Sequence, residues 1–235
     1  MSTTETTADY YKDYWKGESA ARARRDYYGR LYGKLIEKIK TAPGSKVLDI
    51  AGGNGQFLRF LGIERADILD ISQSGLEEAK KAGYQTIYGD VEKRFPLAEE
   101  SYDAALCFEV LEHLARPNKT LAEIHNVLKP GGILYVGQPN MRADGAHHVR
   151  RYYLKPLLED LSKAGFAVEW VDYVPAYSMR DSILDDIRNN PSFIRKIVQC
   201  VNLGLSFLPR SIRYRMAAVV PDRFALMLIV KAIKT

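Results

Sequence analysis

Apolar positions follow two alternating rhythms along this chain of 235 residues. Short apolar runs stand at 46–50 (KVLDI), 66–71 (ADILDI), 85–89 (QTIYG), 102–108 (YDAALCF) and 132–137 (GILYVG), followed by 167–174 (AVEWVDYV) and a last run, FALMLIVKA. Between them, stretches such as 72–82, 117–128 and 154–165 space their apolar residues by three and four, the mark of one-faced helices. Strands this apolar are covered on both faces, and strands alternating with helices wind into a parallel sheet. The pattern predicts an α/β, doubly wound fold. Ahead of it, Tyr28, Leu31, Tyr32, Leu35 and Ile39 mark an amphipathic helix over 19–40, which Pro43-Gly44 stops. The chain reads as a single domain in three parts: an N-terminal helical cap (1–42), a first half (43–140) and a second half (141–235). The second half carries a helical insertion over about 175–222 before the last strand.

Composition narrows what such a fold does. With 46% hydrophobic residues the chain can bury one sizeable core, which excludes disordered and fibrous classes. Cys107 and Cys200 are far apart and have no metal-type spacing near them, so neither a disulfide framework nor a metal site is expected, and a reducing cytoplasm is the simplest home. The start, MSTTETTADYYKDYW, is polar and acidic where a signal peptide would be basic and then apolar. No run reaches the roughly 18 apolar residues of a membrane span. The net charge of +5 is concentrated late, because residues 178–235 hold ten Lys or Arg against four Asp or Glu. That asymmetry fits an anionic partner near the tail, or a solvated helix face.

The stretch VLDIAGGNGQFL at 47–58 raises the question of what approaches the backbone there. A strand running through a Gly-rich turn into a helix brings unpaired N–H groups and the positive end of the helix to the carboxyl edge of the sheet, where ligands of such folds bind. A dinucleotide fingerprint counted from Gly53 and Gly55 needs a third glycine at position 58, where Leu58 stands, and no phosphate-loop motif is present. With Asp49, Ala51, Gly53 and Gly55, the stretch resembles the first motif, D-x-G-x-G-x-G, of the class I, Rossmann-like S-adenosylmethionine-dependent methyltransferases. Alanine replaces the first glycine, as in the small-molecule, ubiquinone/menaquinone-type members.

The resemblance implies a seven-stranded sheet with the last strand antiparallel, S-adenosyl-L-methionine as cofactor and S-adenosyl-L-homocysteine as product. It implies that Asp70, at the end of ILD, accepts from both ribose hydroxyls; a carboxylate suits that role because it has two acceptor oxygens. Asp90 would accept from the adenine amine, with Ile71 and Val91 on either side of the ring. The run 102–114 (YDAALCFEVLEHL) is similar to the family's fourth motif and 126–140 (NVLKPGGILYVGQPN) to its fifth. The expected cofactor-binding residues are Asp49, Ala51, Gly52, Gly53, Gly55, Asp70, Ile71, Asp90, Val91, Phe108 and Glu109, together with Tyr11. Singly, each has a plainer reading as a turn or a cap; their joint order over 47–140 favours binding.

Methyl transfer needs a nucleophile held in line with the S–CH3 bond and, where the acceptor carries a proton, a base. His125, in LAEIHNVL, reads as an inert histidine on an exposed helix face. Glu109 and His113 are four apart, read as sharing a helix face, and with Glu112 are expected to cap and brace the loop over the cofactor. His148 and His147 lie in the loop leaving the fifth strand, where an acceptor must approach. There HHVRRYYLKPLLEDLSKAGF resembles a segment, HVRxY followed by a helix ending in AGF, of small-molecule methyltransferases. His148 and Arg150 take its shared positions, and a catalytic base and a loop brace both stay open.

The acceptor is least legible. Tyr10, Tyr11, Tyr14 and Trp15 suggest an aromatic flap that shuts out water. In the insertion, Phe193, Ile194, Ile197, Val198, Val201, Leu205 and Leu208 form an apolar face beside Arg210, Arg213 and Arg215. Such a basic amphipathic helix covers its own core or touches a membrane or lipid-like acceptor. The expected function is methyl transfer to a small molecule, a hydrophobic or lipid-linked one included, by a cytoplasmic protein peripheral to the membrane at most, with no nucleic-acid partner. An RNA or protein methyltransferase, in keeping with a pI of about 9.0, and a catalytically silent cofactor-binding module are the alternatives.

Overall fold

The computed structural model describes residue 11, residues 35–139, residue 149, residues 153–175 and residues 225–235. Its first strand, β1 (Val47–Ile50), is wholly buried, Asp49 included, as a strand covered on both faces must be. Then follow α1 (Gln56–Leu61), β2 (Asp67–Asp70), α2 (Gln73–Lys81), β3 (Gln85–Tyr88) and β4 (Tyr102–Phe108). After a 3-10 turn (Leu111–His113) come α3 (Pro117–Val127), β5 (Leu128–Pro139), α4 (Leu154–Lys163), β6 (Phe166–Pro175) and β7 (Ala225–Lys234). The seven strands form one sheet in the order β3-β2-β1-β4-β5-β7-β6. Strands β1 to β5 pair in parallel, while β7 runs antiparallel to both β5 and β6. The α/β doubly wound architecture with an antiparallel last strand is thus observed as expected.

Two apolar clusters cover the two faces of the sheet. One includes Leu121, Ile124, Leu157 and Leu161 from α3 and α4 over Leu48, Ile50, Ala105 and Leu134. The other includes Phe57, Leu58, Leu76 and Ala79 from α1 and α2 over Ile68, Leu106 and Ile229. The order of strands reverses between β1 and β4, so the chain leaves these two neighbours toward opposite flanks. Their carboxyl ends open a crevice that in open α/β sheets is the ligand-binding position.

Three expectations are corrected. The fifth strand begins at Leu128 and not at 132: Leu128 pairs with Tyr102 and Ile133 with Ala104, so an irregularity absorbs Lys129 to Gly132. Of the helix expected over 19–40, the described part, Leu35–Lys38, is a 3-10 turn. It is tied to the sheet centre, where the Tyr135 hydroxyl donates to the Lys40 carbonyl (2.9 Å) and accepts from the Lys40 N–H (3.2 Å). His125 is not on an open helix face: its ring meets Phe166 edge-on at 5.3 Å, and burial lowers its pKa. His147, His148, Arg150, the Tyr10–Trp15 flap apart from Tyr11, and the insertion over 176–222 lie outside the described residues. Among the described residues, no helix is long and apolar enough to cross a membrane.

Candidate functional site

The loop that leaves β1 is shaped by its own carboxylates. Asp70, at the end of β2, accepts the Gly53 N–H on Oδ2 and the Ser72 N–H on Oδ1, both at 2.7 Å. The Ala51 N–H bonds the Leu69 carbonyl at 2.7 Å, so the turn is stitched to β2 at two points. Both Asp70 oxygens thus hold backbone donors, and a carboxylate keeps further acceptor capacity for the two ribose hydroxyls expected of it. Burial raises the Asp70 pKa, opposed by the N–H groups of Ser72, Gly53 and Ile71.

Asp49 is 2% exposed, and its Oδ2 meets no hydrogen-bond donor among the described residues. Burial, and then the nearby Asp70 charge, push its pKa well above the usual carboxylate range. A Cβ at Gly52 would stand within contact of the Asp49 carboxylate, so that glycine keeps the space above Asp49 open. A Cβ at Gly55 would lie 2.8 Å from the Tyr84 ring and 2.9 Å from Ile68. Gly55 is thus required by the packing of the loop against the fold.

Ala51 holds φ at 53°, in the left-handed region that the family's usual glycine adopts without strain. We expect Ala51→Gly to stabilise the chain by about 0.5–1 kcal/mol. Relief of roughly 1–2 kcal/mol of strain is partly offset by about 0.4–1 kcal/mol of added freedom in the unfolded chain. Urea unfolding checks this, and a loss of stability would mean that the packing of the alanine methyl outweighs the strain.

Around the crevice, Asp90 caps its own turn: Oδ1 accepts the Glu92 N–H at 2.9 Å, and Oδ2 lies 3.3 Å from Lys93 Nζ. Its side chain stays 30% exposed and open to a further donor. Val91 is buried, with its carbonyl held by Thr120 Oγ1 at 2.9 Å, and Ile71 is half-buried next to Asp70. The Phe108 ring packs 4.3 Å from that of Phe57, which places this expected cofactor contact in the core. Tyr11 arrives at the same edge, its carbonyl accepting from Ser72 Oγ at 2.8 Å and its ring 6.2 Å from that of His113.

Glu109 departs from expectation. Its φ of 57° and its N–H bond to the Gly137 carbonyl (2.8 Å) end β4 before the 3-10 turn, so it does not share a helix face with His113. Two residues that the sequence reading passed over also shape the site. Ser72, the N-cap of α2, joins Tyr11 to the ribose side. Asn54, 2% exposed, takes the Gln56 N–H on Oδ1 and reaches Glu78 through Nδ2. A serine just ahead of a helical run was a readable signal for the first.

Comparison with known proteins decides the class. The family profile described as a methyltransferase domain matches residues 48–136, the stretch from β1 to β5 that builds this crevice. Residues 48–136 form a methyltransferase domain. It is 27% identical over 174 residues to the ubiquinone biosynthesis O-methyltransferase of Escherichia coli O9:H4, covering 68% of this chain and 72% of that protein. To a ubiquinone/menaquinone biosynthesis C-methyltransferase of Roseobacter denitrificans it is 32% identical over 114 residues, covering 43% and 45%. The matched stretch spans a third to about half the length of several other curated relatives.

Among solved structures, the methyltransferase domain shares the fold of a Haloferax volcanii protein solved with the Trm112 methyltransferase activator. The TM-score is 0.66 and the identity 21%, with 94% of this chain and 96% of that one covered. The cofactor of such domains is S-adenosylmethionine, and the residues present fit it. A sequestered carboxylate whose Oδ2 meets no donor among the described residues (Asp49), a second with spare acceptor capacity beside the loop (Asp70) and a partly exposed third (Asp90) are arranged along one sheet edge.

Proposed function

We propose that this methyltransferase domain transfers the methyl group of S-adenosylmethionine to a small hydrophobic acceptor. The observation that carries the reading is the crevice between β1 and β4, where Asp49 and Asp70 are both buried beside a backbone loop and Gly52 keeps the space above Asp49 clear. The cofactor supplies an electrophilic methyl on a sulfonium. The protein's part is to bind the adenosine through Asp70, Ile71, Asp90 and Val91, to hold the acceptor in line and to exclude water. The hydrophobic acceptor is supported by relatives named as ubiquinone and sterol-type methyltransferases and by the amphipathic pattern over 193–208. A cytoplasmic setting with peripheral lipid contact through that insertion belongs to the same reading. The basic tail favours a second reading, methylation of RNA or protein.

The purified chain is expected to bind S-adenosylhomocysteine and not NAD in calorimetry. With methyl-labelled cofactor and a host extract separated into lipid, small polar, RNA and protein pools, label should enter the lipid or small-molecule pool. Label confined to RNA or protein would give the second reading.

A further inference from the structure

Glu112 is 1% exposed, and neither of its carboxylate oxygens meets a hydrogen-bond donor among the described residues. A side chain that braced the loop would have bonds to show for its burial, whereas burying an unbonded carboxyl costs folding free energy. It sits in the short turn after β4, the wall of the crevice opposite the glycine loop. The His113 imidazole stands within ion-pair reach, Nε2 to Oε1 at 3.8 Å, with the His113 side chain 18% exposed. The Tyr11 ring stands edge-on to that imidazole, and the Val149 N–H donates to the Glu112 carbonyl at 3.0 Å. The turn is therefore fastened both to the segment bearing Tyr11 and to the chain that follows β5.

We infer that Glu112 and His113 form a carboxylate–imidazole pair on the acceptor side of the crevice, in which His113 receives the acceptor's proton and Glu112 is its positioning residue. The inference rests on the methyl-transfer reading above. The proton leaves the acceptor's O–H, N–H or acidic C–H bond for the imidazole. The electron pair left behind forms the bond to the methyl carbon as the carbon–sulfur pair returns to sulfur. The imidazolium then gives the buried carboxylate a counter-charge that it lacks at rest, so the interaction is strongest when the proton moves. The groups facing Glu112 are Glu109, whose like charge adds to burial in raising the Glu112 pKa, and the buried Cys107 thiol, itself pushed up by burial and then by Glu112. The Tyr11 ring also lies against His113. On this assignment the rate rises with pH as the imidazole loses its resting proton.

The test compares wild type with Glu112→Gln and His113→Asn on the full chain. In wild type saturated with S-adenosylhomocysteine, histidine NMR should show an imidazole titration that is absent from His113→Asn. Glu112→Gln should move it down by about half a unit or more, because a neighbouring carboxylate favours the charged imidazole. Glu112→Gln should unfold at the same urea concentration as wild type or a higher one. It should nevertheless transfer on the order of tenfold less label from methyl-labelled cofactor to host extract, with the rise of rate with pH displaced. His113→Asn should lose on the order of a hundredfold. An unmoved titration, a Glu112→Gln chain that fails to fold, or unchanged label transfer in His113→Asn would each overturn the pair. If wild type transfers no label at all, the methyl-transfer reading fails, while the NMR comparison still judges the pair.

Discussion

Replacing Asp70 by alanine is expected to cost folding stability in the absence of any cofactor, by roughly 2–6 kcal/mol, as well as weakening S-adenosylhomocysteine binding. The first effect comes from the loop. The Gly53 and Ser72 N–H groups both end on the Asp70 carboxylate at 2.7 Å in a buried setting. Each donor left unsatisfied costs about 1–3 kcal/mol. Part of that is returned, because burial raises the Asp70 pKa and the charge is itself a burden on the fold. The second effect follows from losing an acceptor for the ribose, with hydrogen bonds to charged groups worth about 1.5–3 kcal/mol. Urea unfolding of the free chain and calorimetry with S-adenosylhomocysteine separate the two. Unaltered stability would remove the loop clamp, and unaltered affinity would remove the ribose contact.

A comparable loss is expected of Gly55→Ala, through a different cause. Its φ of 72° adds roughly 1–2 kcal/mol of strain for any residue bearing a Cβ. The new methyl would lie 2.8 Å from the Tyr84 ring and 2.9 Å from Ile68, both in the packed layer under α1 and α2, where overpacking costs about 1–3 kcal/mol. Together these give about 2–5 kcal/mol by thermal or urea unfolding. Ala51→Gly, four residues earlier in the same loop, should move stability the opposite way. If both changes proved neutral, the left-handed turn would be a softer structure than its contacts indicate.

The strands β1 to β4 were legible because each is a short, mostly apolar or β-branched run bounded by turn residues, and their boundaries fall within a residue or so of the expected ones. The start of β5 was not, since Lys129-Pro130-Gly131-Gly132 has the composition of a turn and only pairing with β4 draws Leu128 into the strand. Glu109 was misplaced for a related reason. The spacing in EVLEHL is helical, but the Glu109 N–H is claimed by Gly137 on a neighbouring strand, and the chain turns left-handed there. His125 looked exposed because helical periodicity does not register Phe166, which reaches it from β6. The acidic residues of the crevice were found by motif order, yet the double duty of Asp70 and the isolation of Glu112 depend on contacts across the sheet.

The placement of β7 between β5 and β6 bears on how the chain is made. Both neighbours precede it in sequence, so during synthesis β5 has an open edge and β6 has no partner until Ala225–Lys234 emerges. At roughly 5–20 residues per second, that interval lasts on the order of ten seconds. The first five strands can assemble on the ribosome while this part of the sheet waits, with the unpaired β5 border exposed to other chains.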